Sequence, residues 1–431
     1  LNNGVLCTGP SKIFTITVNP VADVSQPTPL ILCNGVQTNV NFATANTGGI
    51  TSYSWTNSTP SIGLAATGFG SIPNFTTVNT GTIPVVATVV VTPTFTNAGK
   101  SCTITGNTKT FSITVNPSAE VQQPTSEVIC NGSSTTAVNF TTSYTSGATT
   151  FAWTNSNTNI GLASSGTGSI PSFTGINLGT TPQVATIVVT PTYTNAGVSC
   201  TGTPKSFTIT VNPIAQVNQP TAQVICSGDT YSFNFTSVNT GGSTTYSWTN
   251  NNTAIGLNVA NGTGSIPSFT AVNTGLAPTV ATITVIPTYT NGGVSCVGLP
   301  KSFTITVNPS PAVSFSPTNQ TICSGDSSAL VTLSSTTSGA TFSWTATQPA
   351  GITGVITSGT NTIPVQTLVN TTNAPITITY AAVAATNDAS ACAGITYNYT
   401  ITVKPRPSIT ESFTDAICSG ETFSITPVNS S

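Results

Sequence analysis

The chain has 431 residues, only 4% of them charged, with 7 Lys+Arg against 9 Asp+Glu and neither His nor Met. So few cations cannot displace counterions along a phosphate backbone, which excludes a nucleic-acid partner, and the lack of imidazole removes His-dependent triads, dyads and zinc sites. An apolar content of 37% argues against a highly charged disordered chain, and the most apolar run, residues 83–91 with Pro84 and Thr88 inside it, falls short of the about 18 residues that membrane insertion of this segment would take.

In chain order, residues 1–20 come first and end in Phe14-Thr15-Ile16-Thr17-Val18-Asn19-Pro20. That stretch returns nearly unchanged at 111–117, 207–213 and 303–309, and as a variant at 399–405, where Lys404 replaces the Asn. The closing prolines are 97, 96, 96 and 96 residues apart, and Trp55, Trp153, Trp248 and Trp344 are 98, 95 and 96 apart. Such a period exceeds the roughly 20–50 residues of solenoid repeats and suits small domains that each bury a core. The expected organisation is the last strand of a preceding repeat (1–20), repeats at 21–117, 118–213, 214–309 and a divergent 310–405, and the start of a following repeat (406–431). Without Met or a signal peptide, the sequence reads as a mature or internal fragment. Its two end pieces are expected to sit in a longer fibre or to pair with a neighbouring copy, since orphan strands are seldom ordered alone.

Within a repeat, apolar residues alternate with hydroxyls, as in Phe111-Ser112-Ile113-Thr114-Val115, the pattern of a half-buried strand. Gly, Asn, Ser and Pro fill the joints between such runs, and no helical period is visible. In the second repeat the expected strands are 119–129, 136–141, 149–154, 158–163, 170–175, 184–193 and 205–212. Seven strands in about 96 residues predict an all-β fold class, a tandem array of immunoglobulin-like β-sandwich domains. Each Trp stands two residues after an aromatic (Tyr53, Phe151, Tyr246, Phe342), so the two share a strand face. Recurring in every module, Trp55, Trp153, Trp248 and Trp344 read as structural core rather than as platforms for sugar.

The ten cysteines, Cys7, Cys33, Cys102, Cys130, Cys200, Cys226, Cys296, Cys323, Cys392 and Cys418, fall two per whole repeat at fixed positions. With no Cys-x-x-Cys and no His, a metal has little support, and disulfides in an oxidising compartment are the expected state. Spacings within a repeat are 69, 70, 70 and 69, and across boundaries 26, 28, 26, 27 and 26. The two positions lie at opposite poles of a simple immunoglobulin topology, too far apart to bridge, which allows a link between successive domains such as Cys33 to Cys200. A local departure from that topology would allow Cys33 to Cys102. The intra-repeat pair is favoured here because it makes each module self-contained.

Lys12, Lys109, Lys205 and Lys301 each stand two residues before the last-strand Phe and read as edge-strand lysines that discourage sheet-to-sheet pairing. A Lys–Asn isopeptide crosslink would need a recurring buried acid; the residue after each Cys-Ser/Asn-Gly is Val36, Ser133, Asp229, Asp326 and Glu421, so none recurs. Glu120 and Glu127 resemble a glycosidase carboxylate pair, but their counterparts are Gln216 and Gln223 in one repeat, Asp23 and Leu30 in another, which reads as surface variation. No catalytic residue, cofactor or metal site is expected.

Each repeat opens on an apolar-Cys-Ser/Asn-Gly step (residues 32–35, 129–132, 225–228 and 322–325). A Trp strand follows, then a second Cys, as in Gly197-Val198-Ser199-Cys200, and the closing Phe-Thr-Ile-Thr-Val-Asn-Pro. This arrangement resembles the PKD-like, immunoglobulin-like repeats of giant surface proteins from gliding and other Bacteroidetes bacteria, including the SprB-type gliding adhesins. The resemblance covers essentially the whole chain and implies an extracellular protein of the bacterial cell surface, exported by the type IX system. The fourth repeat departs most, with residues 381–386 (Ala-Ala-Val-Ala-Ala-Thr) where the others have Pro-Thr-Tyr/Phe-Thr-Asn.

The functional expectation is a non-catalytic adhesin stalk or surface filament. It would give reach, stiffness and attachment through short joints such as Asn116-Pro117-Ser118-Ala119, serving gliding motility or a biofilm. The expected partners are neighbouring repeats, copies of the same protein in a fibre, and surface glycans. The alternative is a set of spacer or carbohydrate-binding modules of a secreted polysaccharide-degrading enzyme.

Overall fold

The computed structural model describes residues 4, 8–103, 107–387, 391–408, 414 and 416–426. The chain divides into two compact units, Leu1–Pro213 and Ile214–Ser431. The buried apolar residues form four separate clusters, spanning Val24–Val115, Val121–Val211, Val217–Val307 and Val313–Val403. Each unit holds two of them.

The first repeat sets the pattern: β1 (Leu30–Cys33), β2 (Gln37–Val40), β3 (Ile50–Asn57), β4 (Thr67–Phe69), β5 (Ile72–Thr76), β6 (Val85–Asn97), β7 (Lys100–Cys102) and β8 (Lys109–Asn116). One sheet runs β1-β8-β6-β3-β4 with β7 paired to β6; β2 and β5 form the facing layer. Alternation decides the faces. Along β6, Ala87, Val89, Val91 and Phe95 are fully buried while the Thr residues between them point outward. The ladders are antiparallel except one: β1 runs parallel to β8, with Leu30 opposite Ile113 and Cys33 opposite Asn116. This parallel pair carries the first cysteine to the pole where the chain leaves the repeat.

Trp55 faces the sandwich interior opposite Gly68 of β4. A Cβ on Gly68 would overlap the indole, so only glycine lets β4 cross there. Gly166, Gly262 and Gly359 repeat the arrangement over Trp153, Trp248 and Trp344, all four rings being buried. The indole N–H of Trp344 donates to Thr362 O (2.9 Å), whereas those of Trp55, Trp153 and Trp248 are buried without a protein acceptor.

The second repeat departs from its expected strands in definite ways. Residues 158–163 do not form a strand. Thr158–Ile160 is a 3-10 turn, with Asn157 Oδ1 accepting from Asn159 N (3.1 Å) and Gly161 at φ 93° ending it. Ile160 and Leu162 are both buried, which imitates strand alternation. Of 119–129, only Glu127–Cys130 joins the ladder; Pro124 has no N–H to offer one. The expected strands 136–141 and 170–175 do not form a ladder; their segments meet through the isolated bridges Ser134–Thr174 and Val138–Ile170, where the third repeat builds Thr230–Phe233 against Ile266–Thr270. Two short strands, Ser165–Thr167 and Val198–Thr201, escaped the sequence reading; the latter carries Cys200. The fourth repeat has an added strand, Ser314–Ser316, in its facing layer.

Candidate functional site at the repeat joints

Within the N-terminal unit the joint between the first two repeats starts at the turn Cys33-Asn34-Gly35-Val36. Val36 N donates to Cys33 O (3.4 Å) and Gly35 has φ 82°, a conformation open to glycine at little cost. Asn34 N donates to Asn116 O (2.9 Å) and Gly35 N to Thr77 O (2.8 Å). Asn34 Oδ1 accepts from Asn79 N (2.8 Å), and the buried Asn79 amide donates to Ile83 O (2.9 Å) and Val115 O (2.7 Å). The turn is thereby pinned to the exit end of β8.

In the second repeat the strand Gln183–Asn195 turns through Ala196 (φ 47°) and Gly197 (φ 79°) into Val198–Thr201, setting Cys200 opposite Tyr193. This hairpin stands at the entry pole. Cys33 and Cys200 form a disulfide with Cα atoms 5.4 Å apart. The favoured intra-repeat link of Cys33 to Cys102 is therefore not made, and Cys102 carries a free thiol. The reason is topological. Cys102 lies near the start of β8 and Cys33 beside its end; a strand of eight residues at about 3.3 Å each separates them by roughly 25 Å, far beyond the reach of about 7 Å for a disulfide.

Two asparagines complete the joint. Asn195 Nδ2 donates to Asn116 Oδ1 (2.9 Å), and Asn116 Nδ2 reaches back to Asn195 O (3.4 Å). The same exchange stands at the entry to the first repeat, where Asn97 Nδ2 donates to Asn19 Oδ1 (3.0 Å) and Asn19 Nδ2 to Asn97 O (3.4 Å). Asn34 Nδ2 also donates to Ser118 Oγ (3.1 Å). Asn116, Pro117 and Ala119 are buried and Ser118 half-buried, so no free tether remains between these two repeats. Asn recurs visibly before the closing Pro and at the end of the long strand, but within one repeat it looks like an ordinary turn residue. A second group missed from sequence is Gln26, Gln123 and Gln219. Their side-chain amides donate to Thr110 O (2.9 Å), Ser206 O (2.8 Å) and Ser302 O (3.0 Å), covering the last strand before its parallel neighbour begins.

The family model described as PKD-like domain matches residues 223–311 and 320–407. These two repeats are PKD-like domains. No curated protein matches the chain. Solved structures similar in fold include Sidekick-1 immunoglobulin domains 1–5 (11% identity, covering 89% of this chain and 81% of that one, TM-score 0.27). Drosophila N-cadherin EC1–4 is similar at 13% identity, over 88% of this chain and 99% of that one, with TM-score 0.27. Protocadherin Gamma B2 extracellular cadherin domains 3–6 are similar at 12% identity, over 90% and 100%, with TM-score 0.31.

The two PKD-like domains of the C-terminal unit share a joint of the same kind. Cys226 and Cys392 form a disulfide with Cα atoms 5.4 Å apart. The turn Cys226-Ser227-Gly228-Asp229 is closed by Asp229 Oδ2, which accepts from Cys226 N (2.8 Å), and Ser310 Oγ donates to Ser227 O (2.9 Å). Where the second PKD-like domain ends, the chemistry changes. Lys404 replaces the Asn opposite the cysteine, and Arg406 donates through Nε to Ser324 O and pairs with Asp326 (2.6 Å).

The remaining expected residues are placed as follows. Cys130 and Cys296 are disulfide-bonded, Cys323 and Cys418 are exposed free thiols, and Cys7 lies outside the described residues. Lys109, Lys205 and Lys301 are the first residues of their strands, and Lys12 is exposed. Glu120 accepts from Ser143 Oγ (2.7 Å) and Glu127 from Thr136 N (3.1 Å), both local structural contacts. In the second PKD-like domain, burial pushes the Tyr380 phenol above its ordinary value, while its hydrogen bond to Gln366 Oε1 (3.1 Å) works the other way. Among the described residues no three of His, Cys, Asp or Glu gather as a metal would require, and no helix is long and apolar enough to cross a membrane.

Proposed function

We propose that the chain is a non-catalytic segment of an extracellular stalk or surface filament whose joints carry tension from repeat to repeat. The observation behind this reading is the Cys33–Cys200 bond. Pulled from its ends, the covalent path crosses that bond and bypasses residues 34–199. Released and fully extended, those residues would add roughly 550 Å. The Cys226–Cys392 bond does the same for residues 227–391. A tether built this way keeps its length even while a sandwich within it unfolds, which suits reach and attachment better than turnover. Disulfides of this kind persist in oxidising compartments, supporting a place outside the cytosol.

The finer reading is a SprB-type adhesin of a Bacteroidetes cell surface, exported by the type IX system and serving gliding or biofilm attachment. It is supported by the repeat pattern and by the PKD-like matches at 223–311 and 320–407. Two experiments test these readings. Single-molecule pulling of the oxidised chain is expected to give short extensions that lengthen severalfold on reduction; equal extensions would contradict the tension-bearing joint. Antibody to the repeats is expected to decorate fibres on intact cells. Label confined to a secreted polysaccharide-degrading fraction would overturn the surface role.

A further inference from the structure

The second and fourth repeats carry one residue more in the facing layer than the first and third. The side chain that this layer packs into the core is Phe42, Phe140, Phe235 and Leu333 in turn, and it stands nine, ten, nine and ten residues after the opening cysteine. In the two longer segments a main-chain N–H turns to the side chain three residues before that cysteine. Thr136 N donates to Glu127 Oε1 (3.1 Å) and Oε2 (3.2 Å), and Ala329 N donates to Gln320 Oε1 (2.7 Å). Gln320 also uses its Nε2, which donates to Ala329 O (3.1 Å) and to the Tyr399 hydroxyl (2.7 Å). Glu127 has no N–H to give. Phe207 stands where the fourth repeat has Tyr399, each two residues before the last-strand partner of the acceptor, Ile209 for Glu127 and Ile401 for Gln320.

Glu127 therefore brings a charge that holding Thr136 N does not require, since Gln320 holds Ala329 N without one. The half-buried Glu127 lines a cleft of about 280 Å³ between the last strand and the facing layer, which the buried Phe207 and Ile209 and the flanking Pro124 and Val138 also line. Among the described residues no Lys or Arg forms an ion pair with it. Its two oxygens offer about four acceptor sites, of which one N–H takes a share. A carboxylate beside an apolar floor loses hydration at a cost that a charged donor offsets.

We propose that this cleft binds a primary ammonium on a short alkyl stem, with the ammonium donating to Glu127 and the stem lying on Phe207 and Ile209. Charge-assisted N–H···O bonds give the selectivity, and the apolar floor takes the methylenes as protein surfaces take the stem of a lysine. A lysine side chain of a partner and a free alkylamine share this chemistry. The inference does not rest on the surface role and stands if that role fails.

The test titrates the full oxidised chain with n-pentylamine and, separately, with Nα-acetyl-lysine N-methylamide, following the Thr136 N–H resonance by NMR. Both are expected to shift it saturably. At least fivefold tighter binding of the lysine derivative would assign the site to a partner's side chain, and equal or weaker binding to a free amine; either supports the site. The norleucine derivative, which lacks the ammonium, is expected to bind at least tenfold more weakly than the lysine one. Glu127→Gln is expected to weaken binding of the lysine derivative at least tenfold while leaving thermal unfolding unchanged, because Gln320 shows that Gln can hold this segment. No saturable shift, equal affinity for the norleucine derivative, or equal affinity of the parent and E127Q chains would overturn the proposal.

Discussion

The joint between the first two repeats and the exit from the fourth do the same work with opposite chemistry. At the first, a pair of neutral amides, the buried Asn116 with the half-buried Asn195, lies beside a closed disulfide. At the second, Lys404 takes the Asn position, Cys323 is an open thiol, and the turn is held by Arg406 on Asp326, whose side chains are 62% and 46% exposed. A neutral pair can be buried once each amide finds its partner, whereas a charge is left near water because burying it costs far more. In a chain with 4% charged residues, the ion pair therefore stays at the surface of its turn, and the neutral amides lie inside the joint.

The largest loss is expected at the disulfide. Cys33→Ser is expected to lower the stability of the N-terminal unit by about 2–5 kcal/mol, the range for losing a bond that closes a long loop, read as a reduced denaturant midpoint against the oxidised parent. Next comes Gly68→Ala, which forces Trp55 aside. It should cost about 1–3 kcal/mol and shift Trp emission, and an unchanged melt would contradict the packing of β4 on the indole. Asn195→Ala leaves the buried Asn116 Oδ1 without its donor and should cost about 1–3 kcal/mol, with no dependence on salt.

Arg406→Gln removes the exposed ion pair and is expected to cost less than about 1 kcal/mol, an effect that fades as salt screens it. If the Asn195 and Arg406 variants responded alike to salt, the contrast between the joints would fall. Alkali is expected to have the smallest effect. Burial raises the phenols of Tyr231, Tyr380 and Tyr399 above their ordinary 10.0 in the folded state. The fold therefore holds these protons more tightly than the unfolded chain. Their contribution is full below about pH 10 and is lost as pH rises through the folded values. A melt series from pH 8 to 11.5 is expected to fall only at its upper end.

Much of this was legible in the sequence because it is local or periodic. Alternation marks the inward face of β6, and recurrence marks the four Trp residues and the repeat length. What escaped depends on which distant strands meet. The partner of Cys33 follows from β1 lying parallel to β8, a pairing that residues 30–33 alone do not announce. The reciprocal Asn116–Asn195 amides require two repeats to be in place. The turn at Thr158–Ile160 was misread because Ile160 and Leu162 are both buried around a glycine with φ 93°, giving strand alternation without a strand.

Successive repeats within each unit are joined covalently, and non-reducing proteolysis with mass spectrometry tests that link most directly. The oxidised chain should release a peptide bearing Cys33 bound to one bearing Cys200, and Cys226 bound to Cys392. Recovery of Cys33 linked to Cys102 would contradict it.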